Sequence, residues 1–153
     1  MKRVKGTYAL ILALDREAAI TVGKLTTFSF PAGYYIYAGS ALGGLLPRVR
    51  RHIRGDNRLY WHIDYLRREA RVVEVWYRVS QERLECIWAQ AAADMPRARV
   101  PVAGFGSSDC GCVSHLVYFP AAPSFEEFCR LLGDGGVDLR RMSVGLGNVD
   151  LRL

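Results

Sequence analysis

The sequence predicts an α/β (α+β) fold: a small central mixed or antiparallel sheet flanked by helices, with an extra hairpin near the N-terminus. Three observations point there. GTYALILA (6–13) and YYIYAG (34–39) are apolar and aromatic runs with the chemistry of buried strands. From residue 42 the apolar period changes to that of a helix. Strand-like and helix-like segments then alternate, without internal repeats or low-complexity tracts. At 153 residues, half of them hydrophobic, the chain supports one core, so a single domain over 1–153 is expected.

Each element has its own signal. After the first strand, Asp15-Arg16-Glu17 makes a polar turn. Ala19 to Val22 and Leu25 to Phe30 flank Gly23-Lys24, the pattern of a two-residue type II′ hairpin. Pro31-Ala32-Gly33 breaks the chain before the aromatic strand. Leu42, Leu45, Leu46, Val49 and Ile53 then fall on one helical face, and Pro47 is tolerated only in the first turn. Arg48 and His52 are four apart and lie one above the other on the flank of that stripe.

LYWHIDYL (59–66) predicts a short helix and RVVEVWYRV (71–79) a strand. Leu84, Ile87, Trp88, Ala91 and Met95 mark a second amphipathic helix, with Ser80 as its cap and Glu85 on its flank. GFGSSDCGC (104–112) is dense in turn residues, and SHLVYF (114–119) is a strand. Ser124-Phe125-Glu126-Glu127 is a capping box that opens a third helix to about Leu132. From Gly133 to Leu153 the chain is Gly-rich and basic and is expected to form a C-terminal extension.

Lys and Arg number 21 against 15 Asp and Glu, and the pI is about 9.4. A basic surface attracts polyanions, so nucleic acid is the first partner to consider. No apolar run is long enough to span a bilayer, and the charged N-terminus lacks the apolar core of a signal peptide. No membrane partner is expected. With four cysteines, reduced thiols and a cytoplasmic location are expected.

Phosphodiester hydrolysis requires a deprotonated water, a neutralised phosphorane-like charge and a stabilised leaving oxygen. A carboxylate-held cation, an arginine and a base suffice, and Tyr8, Tyr37, Arg48, His52 and Glu85 would supply them if the fold gathers them. Gly6-Thr7-Tyr8 and Tyr37-Ala38-Gly39 resemble the two halves of the GIY-YIG nuclease motif. The helix that follows carries Arg48 and His52 where that superfamily has an arginine and its partner one turn later. Glu85 falls where it has its metal-binding glutamate. More narrowly, FPAGYYIYAGSA, WHIDYL, LEC and GFGSSDCGCVSHL are similar to the DUF123 group, also called Uri-type endonucleases, over roughly Gly6 to Phe119. Thr7 and Ala38 replace the central Ile of both half-motifs, and Tyr8 and Tyr37 stand 29 positions apart because the extra hairpin intervenes.

The resemblance implies a GIY-YIG-like fold with a central three-stranded sheet. It also implies a metal-dependent nuclease that cleaves DNA, rather than RNA, with one Mg²⁺ or Mn²⁺ ion. Glu85 would be the metal ligand; Mg²⁺ accepts so thin a ligand set because it keeps most of its waters. Tyr8, aided by Tyr37, would activate water, and Arg48 and His52 would neutralise the transition state. Gly39 and Ser40, at a sharp strand-to-helix turn, would let backbone amides approach the phosphate. Arg51 would add phosphate attraction, and Ser107 and Ser108 a second wall.

Each residue also has a plainer reading. Tyr8 is then a strand tyrosine at the core edge, Gly39 a turn glycine, Arg48 and His52 a solvated basic face, and Glu85 a first-turn glutamate favoured by the helix dipole. A nucleic-acid-binding module of the same fold without turnover is the alternative function. Cys110, Cys112 and His115 raise zinc. Their C-x-C-x2-H spacing departs from a standard finger, and a fourth ligand would have to be Asp109 or Cys86, so zinc is not expected. A thiol hydrolase pairing Cys110 with His62 or His115 is a further alternative.

Overall fold

The computed structural model describes residues 3–55, 58–107 and 110–145. Its elements, in order, are β1 (Gly6–Leu14), β2 (Ala18–Thr21), β3 (Thr27–Phe30), β4 (Gly33–Ala41), α1 (Leu45–Arg54), α2 (His62–Arg67), β5 (Arg71–Val79), α3 (Glu85–Ala93), β6 (Leu116–Phe119), α4 (Phe125–Leu132), a 3-10 turn (Gly133–Gly136) and β7 (Arg140–Ser143). The main sheet runs β6-β4-β1-β5-β7, and every neighbouring pair is antiparallel.

β1 is buried at every position because it is central and covered on both faces, which explains its unbroken apolar run. Tyr8, Leu10 and Leu12 point to one face, under α1, α2 and the β2–β3 hairpin. Ala9 and Ile11 point to the other, under α3 and α4. On that second face Phe128 of α4 sits 5.1 Å from the Trp76 ring and 5.6 Å from that of Trp88. Tilted and edge-on aromatic pairs of this kind add about 0.5–1.5 kcal/mol each beyond the area they bury. Ser124 caps α4 by accepting the Glu127 amide.

α1 forms where the spacing places it. Leu45 and Val49, four apart, are fully buried, and Pro47 lies in the first turn, where its missing N–H costs nothing. Gly55 ends the helix at φ 72°, its amide bonded to the Arg51 carbonyl.

Several expectations are corrected. The sheet is antiparallel, as one of the two expected forms, but it has five strands where the resemblance implied three. The hairpin turns at Gly23-Lys24, where the Leu25 amide donates to the Val22 carbonyl at 2.8 Å, but regular strand pairing ends at Thr21–Thr27. Val22 is buried on the same side as Ile20, two residues earlier. Ser80 does not cap the second helix; it accepts the Glu82 amide, and Thr7 takes the Leu84 amide at the N-cap. Ile87 is 60% exposed, because only the Trp88, Ala89 and Ala92 side of α3 meets the sheet. The helix after Leu59 starts at His62.

The stretch after Gly133 is not merely appended. Arg140–Ser143 returns as an edge strand on β5. Arg141 Nε donates to Glu74 Oε1 at 2.6 Å, and its guanidinium lies over the Phe125 ring. Among the described residues, no helix is long and apolar enough to cross a membrane.

Candidate active site and metal cluster

Antiparallel register builds the first part of the site. Tyr8 stands opposite Gly39, so Tyr37, two residues earlier on β4, is its diagonal neighbour on the same face. Both phenols are buried, Tyr8 at 1% exposure. α1 crosses this face and lowers His52 onto it. Tyr8 Oη and His52 Nε2 are 2.9 Å apart, and the Tyr37 ring approaches the same imidazole edge-on.

Gly39 owes its identity to this packing. It lies inside β4, not at the strand-to-helix turn; that turn falls at Gly43-Gly44, where Gly44 has φ 129°. A Cβ on Gly39 would lie 2.5 Å from Tyr8 Oη. The glycine therefore makes room for a phenol.

Arg48, one turn before His52, reaches the end of β4 and donates to the Ser40 carbonyl at 3.4 Å. Its guanidinium stacks on Trp61 at 4.3 Å, and Arg51 stacks on the same indole at 4.4 Å. Arg51 is further held by Asp64, with bonds of 2.7 and 3.0 Å. Asp64 also takes the amides of Tyr60 and Trp61. Arg51 thus fastens α1 to α2, whereas Arg48 is half-buried at the mouth of the tyrosine face.

Glu85 sits across the sheet, at the start of α3, and is tied to the same end of β4. Ser40 Oγ donates to Glu85 Oε2. Thr7 Oγ1 lies 3.3 Å from Ser40 Oγ and accepts the Leu84 amide. With the Ser40 proton committed to the carboxylate, Thr7 donates to Ser40, and one chain of hydrogen bonds runs Leu84, Thr7, Ser40, Glu85. Thr7 is fully buried. It points away from Tyr8 and holds the helix that carries Glu85.

Burial dominates the protonation of this site. It raises the Tyr8 pKa above that of an ordinary phenol, while the Arg48 guanidinium beside the hydroxyl pulls it down. Tyr37 is pushed up by burial and by Tyr8, with Arg48 again opposing and the Asp64 and Glu85 charges adding to the rise. Burial lowers the His52 pKa to about 3, so its ring is neutral at pH 7. His52 Nδ1 is buried with no partner among the described residues. A bare lone pair there costs less than a stranded N–H, which puts the ring proton on Nε2, donating to Tyr8. At pH 7 the ring therefore brings no positive charge to Tyr8.

The 104–107 turn forms a second wall. Gly106 N donates to His62 Nδ1 at 2.8 Å, and a Cβ on Gly106 would lie 2.9 Å from the Tyr37 ring. Phe105 packs edge-on against Tyr37. Ser107 is buried, with no partner for its hydroxyl among the described residues. Ser108 lies outside the described residues, as does Asp109. The structure places Tyr8, Tyr37 and His52 on one face of the sheet and the helix that carries Glu85 on the other, with Arg48 and Glu85 each bonded to Ser40 at the end of β4. Thr7, Trp61 and Asp64 were not singled out from the sequence; the run WHID was the visible signal for the last two.

The residue after Glu85 begins a second cluster. Cys86 Sγ lies 3.6 Å and Cys110 Sγ 3.3 Å from His115 Nε2. With Cys112 they form a group whose ligand atoms all lie within 4.8 Å of one another, and which can hold a metal ion. Of the two fourth ligands that the sequence offered, Asp109 lies outside the described residues and α3 delivers Cys86, so the cluster that the C-x-C-x2-H spacing did not lead one to expect is present. Burial pushes the Cys86 thiol up, as do the neighbouring Cys112 and Cys110. His115 is lowered by burial, with the Glu85 charge opposing.

The sequence model of a family described as "Domain of unknown function DUF123" matches residues 7–135. No curated protein and no solved structure matches the chain.

Proposed function

From a chain that belongs to the DUF123 family, we propose a metal-dependent endonuclease of the GIY-YIG kind, hydrolysing DNA phosphodiesters with one divalent ion. One observation supports this: Arg48 and Glu85 both bond Ser40, at its carbonyl and at its hydroxyl, one residue along β4 from the Gly39 that faces the buried Tyr8–His52 pair.

Glu85 fits a hard cation. It offers carboxylate oxygens at a half-buried position, with one oxygen already oriented by Ser40. Mg²⁺ or Mn²⁺ bound there would draw charge from phosphate oxygens and raise the acidity of nearby hydroxyls. Arg48 sets its planar fork against the phosphate and offsets charge at phosphorus. His52 Nε2–H and Arg48 both favour an anionic Tyr8 oxygen, against the burial that opposes it. In that state Tyr8 Oη takes a proton from the attacking water as the new P–O bond forms and the bond to the leaving oxygen breaks. The leaving oxygen is protonated from solvent. Tyr37 keeps the Tyr8 ring and the water in place.

The closed packing of Tyr8 and His52, each 1% exposed, supports a second reading: a nucleic-acid-binding module without turnover. The two separate on single-stranded, duplex and branched DNA with Mn²⁺. A nuclease cleaves at least one of them, is silenced by chelator, and loses activity in Arg48→Ala. A binding module retains salt-dependent affinity that chelator leaves unchanged.

A further inference from the structure

We infer that Cys86, Cys110, Cys112 and His115 bind one zinc ion, which fastens the 110–115 loop to the first turn of α3. The inference is independent of the nuclease reading, since none of these residues takes part in it.

The donor set selects the metal. Three thiols and an imidazole are soft and borderline ligands, suited to zinc in tetrahedral sites and poor for Mg²⁺. The spacing agrees. A tetrahedron with Zn–S about 2.3 Å and Zn–N about 2.0 Å has S···N edges of about 3.5 Å. The two sulfur–nitrogen separations here are 3.6 and 3.3 Å.

His115 is set before any cation arrives. Its amide donates to the Phe105 carbonyl at 2.8 Å and its carbonyl accepts the Ala38 amide at 3.0 Å, so the backbone is clamped between loop and sheet. The ring is 5% exposed. All four cysteines of the chain are free thiols, and Cys129 lies apart on α4.

The local fold needs such a tie. Among the described residues, 100–115 form neither helix nor strand. α3 starts at Leu84 without a side-chain cap from its own residue. A cation shared between Cys86 and the loop joins the two, and Cys86 adjoins Glu85. Binding releases a proton from each thiol as its Zn–S bond forms; nothing is oxidised.

Elemental analysis of the full chain, purified without chelator, is expected to give about one zinc per chain. Cys112→Ser should lose it, while Cys129→Ser and Glu85→Gln should keep it. Should Cys112→Ser fail to fold, wild-type protein reconstituted with Co²⁺ decides instead. Strong thiolate-to-cobalt absorption with tetrahedral d–d bands supports the site. Weak octahedral bands overturn it. So do iron in place of zinc, a disulfide among the three cysteines in the metal-free protein that persists under reductant, or loss of zinc in Glu85→Gln.

Discussion

Tyr8 Oη and His52 Nε2 meet at 2.9 Å across the seam between the central strand and the first helix, with neither residue more than 1% exposed. A polar pair sealed this deeply is fixed by the fold before any substrate arrives. Tyr8→Phe leaves the imidazole N–H without an acceptor and should lower stability by about 1–3 kcal/mol, read as a shift in the urea midpoint. His52→Phe strands the phenol instead. The double variant should cost less than the sum of the two, a coupling that a double-mutant cycle measures directly.

The same imidazole makes stability depend on pH. Its pKa is about 3 in the folded chain and about 6.5 when unfolded. The unfolded state therefore binds more protons between these values. The contribution is complete above about pH 6.5 and is lost as pH falls towards 3, by up to about 1.4 kcal/mol per pH unit. The groups facing the ring are Tyr8 on β1, Tyr37 on β4, Trp61 and Asp64 at α2, and Arg48, Arg51 and Arg67, with Asp64 alone favouring the protonated form. Urea unfolding at pH 7.0, 6.0 and 5.0 should show a steeper loss in the wild type than in His52→Phe, as order-of-magnitude choices within that window.

Gly39→Ala should be costly although alanine suits a strand. The added methyl would occupy space 2.5 Å from the Tyr8 hydroxyl oxygen, so the ring must move. A loss of about 1–3 kcal/mol is expected, as for overpacking elsewhere. In a Tyr8→Ala background the same change should be nearly neutral. An equal penalty in both backgrounds would show that the glycine serves something other than the phenol.

Asp64 is the hub of the α1–α2 contact, taking Arg51 and two backbone amides while 6% exposed. Asp64→Ala leaves both amides without their acceptor and takes the carboxylate from Arg51, and should cost about 3 kcal/mol by chemical denaturation. Arg51→Met added to it should recover part of that loss.

Much of this was legible in the chain. β1 and β4 are apolar, aromatic and β-branched along their length, and no other element satisfies that pattern. α1 was readable because Leu45, Val49 and Ile53 hold a helical period that Pro47 does not interrupt. What escaped is contact made across long separations. Ser80 looked like a cap from its neighbours, yet the Leu84 amide is met by Thr7, 77 positions earlier. Gly39 looked like a turn glycine because the following segment is helical, while its space is set by Tyr8 on another strand. The edge strand at Arg140–Ser143 has little hydrophobic signal, since only Met142 among its residues is more than slightly covered. Of the candidate site, Tyr8 and His52 meet on one face and Arg48 and Glu85 both reach Ser40, but the Ser40–Thr7 chain that ties Glu85 to β4 has no local signature. Cys86 was one of two candidate fourth ligands, and nothing local chose between it and Asp109, because its partners lie more than twenty positions away.

The central claim is that Glu85 and the Tyr8–Arg48 face act on one phosphodiester. Its most direct test is cleavage of end-labelled DNA in excess Mg²⁺ by wild type and Glu85→Gln, with equal folding confirmed by circular dichroism. Wild type should cut and Glu85→Gln should be slower by about a thousandfold. Equal rates in the two, or no cutting by the wild type of any single-stranded, duplex or branched DNA in Mg²⁺ or Mn²⁺, would contradict it.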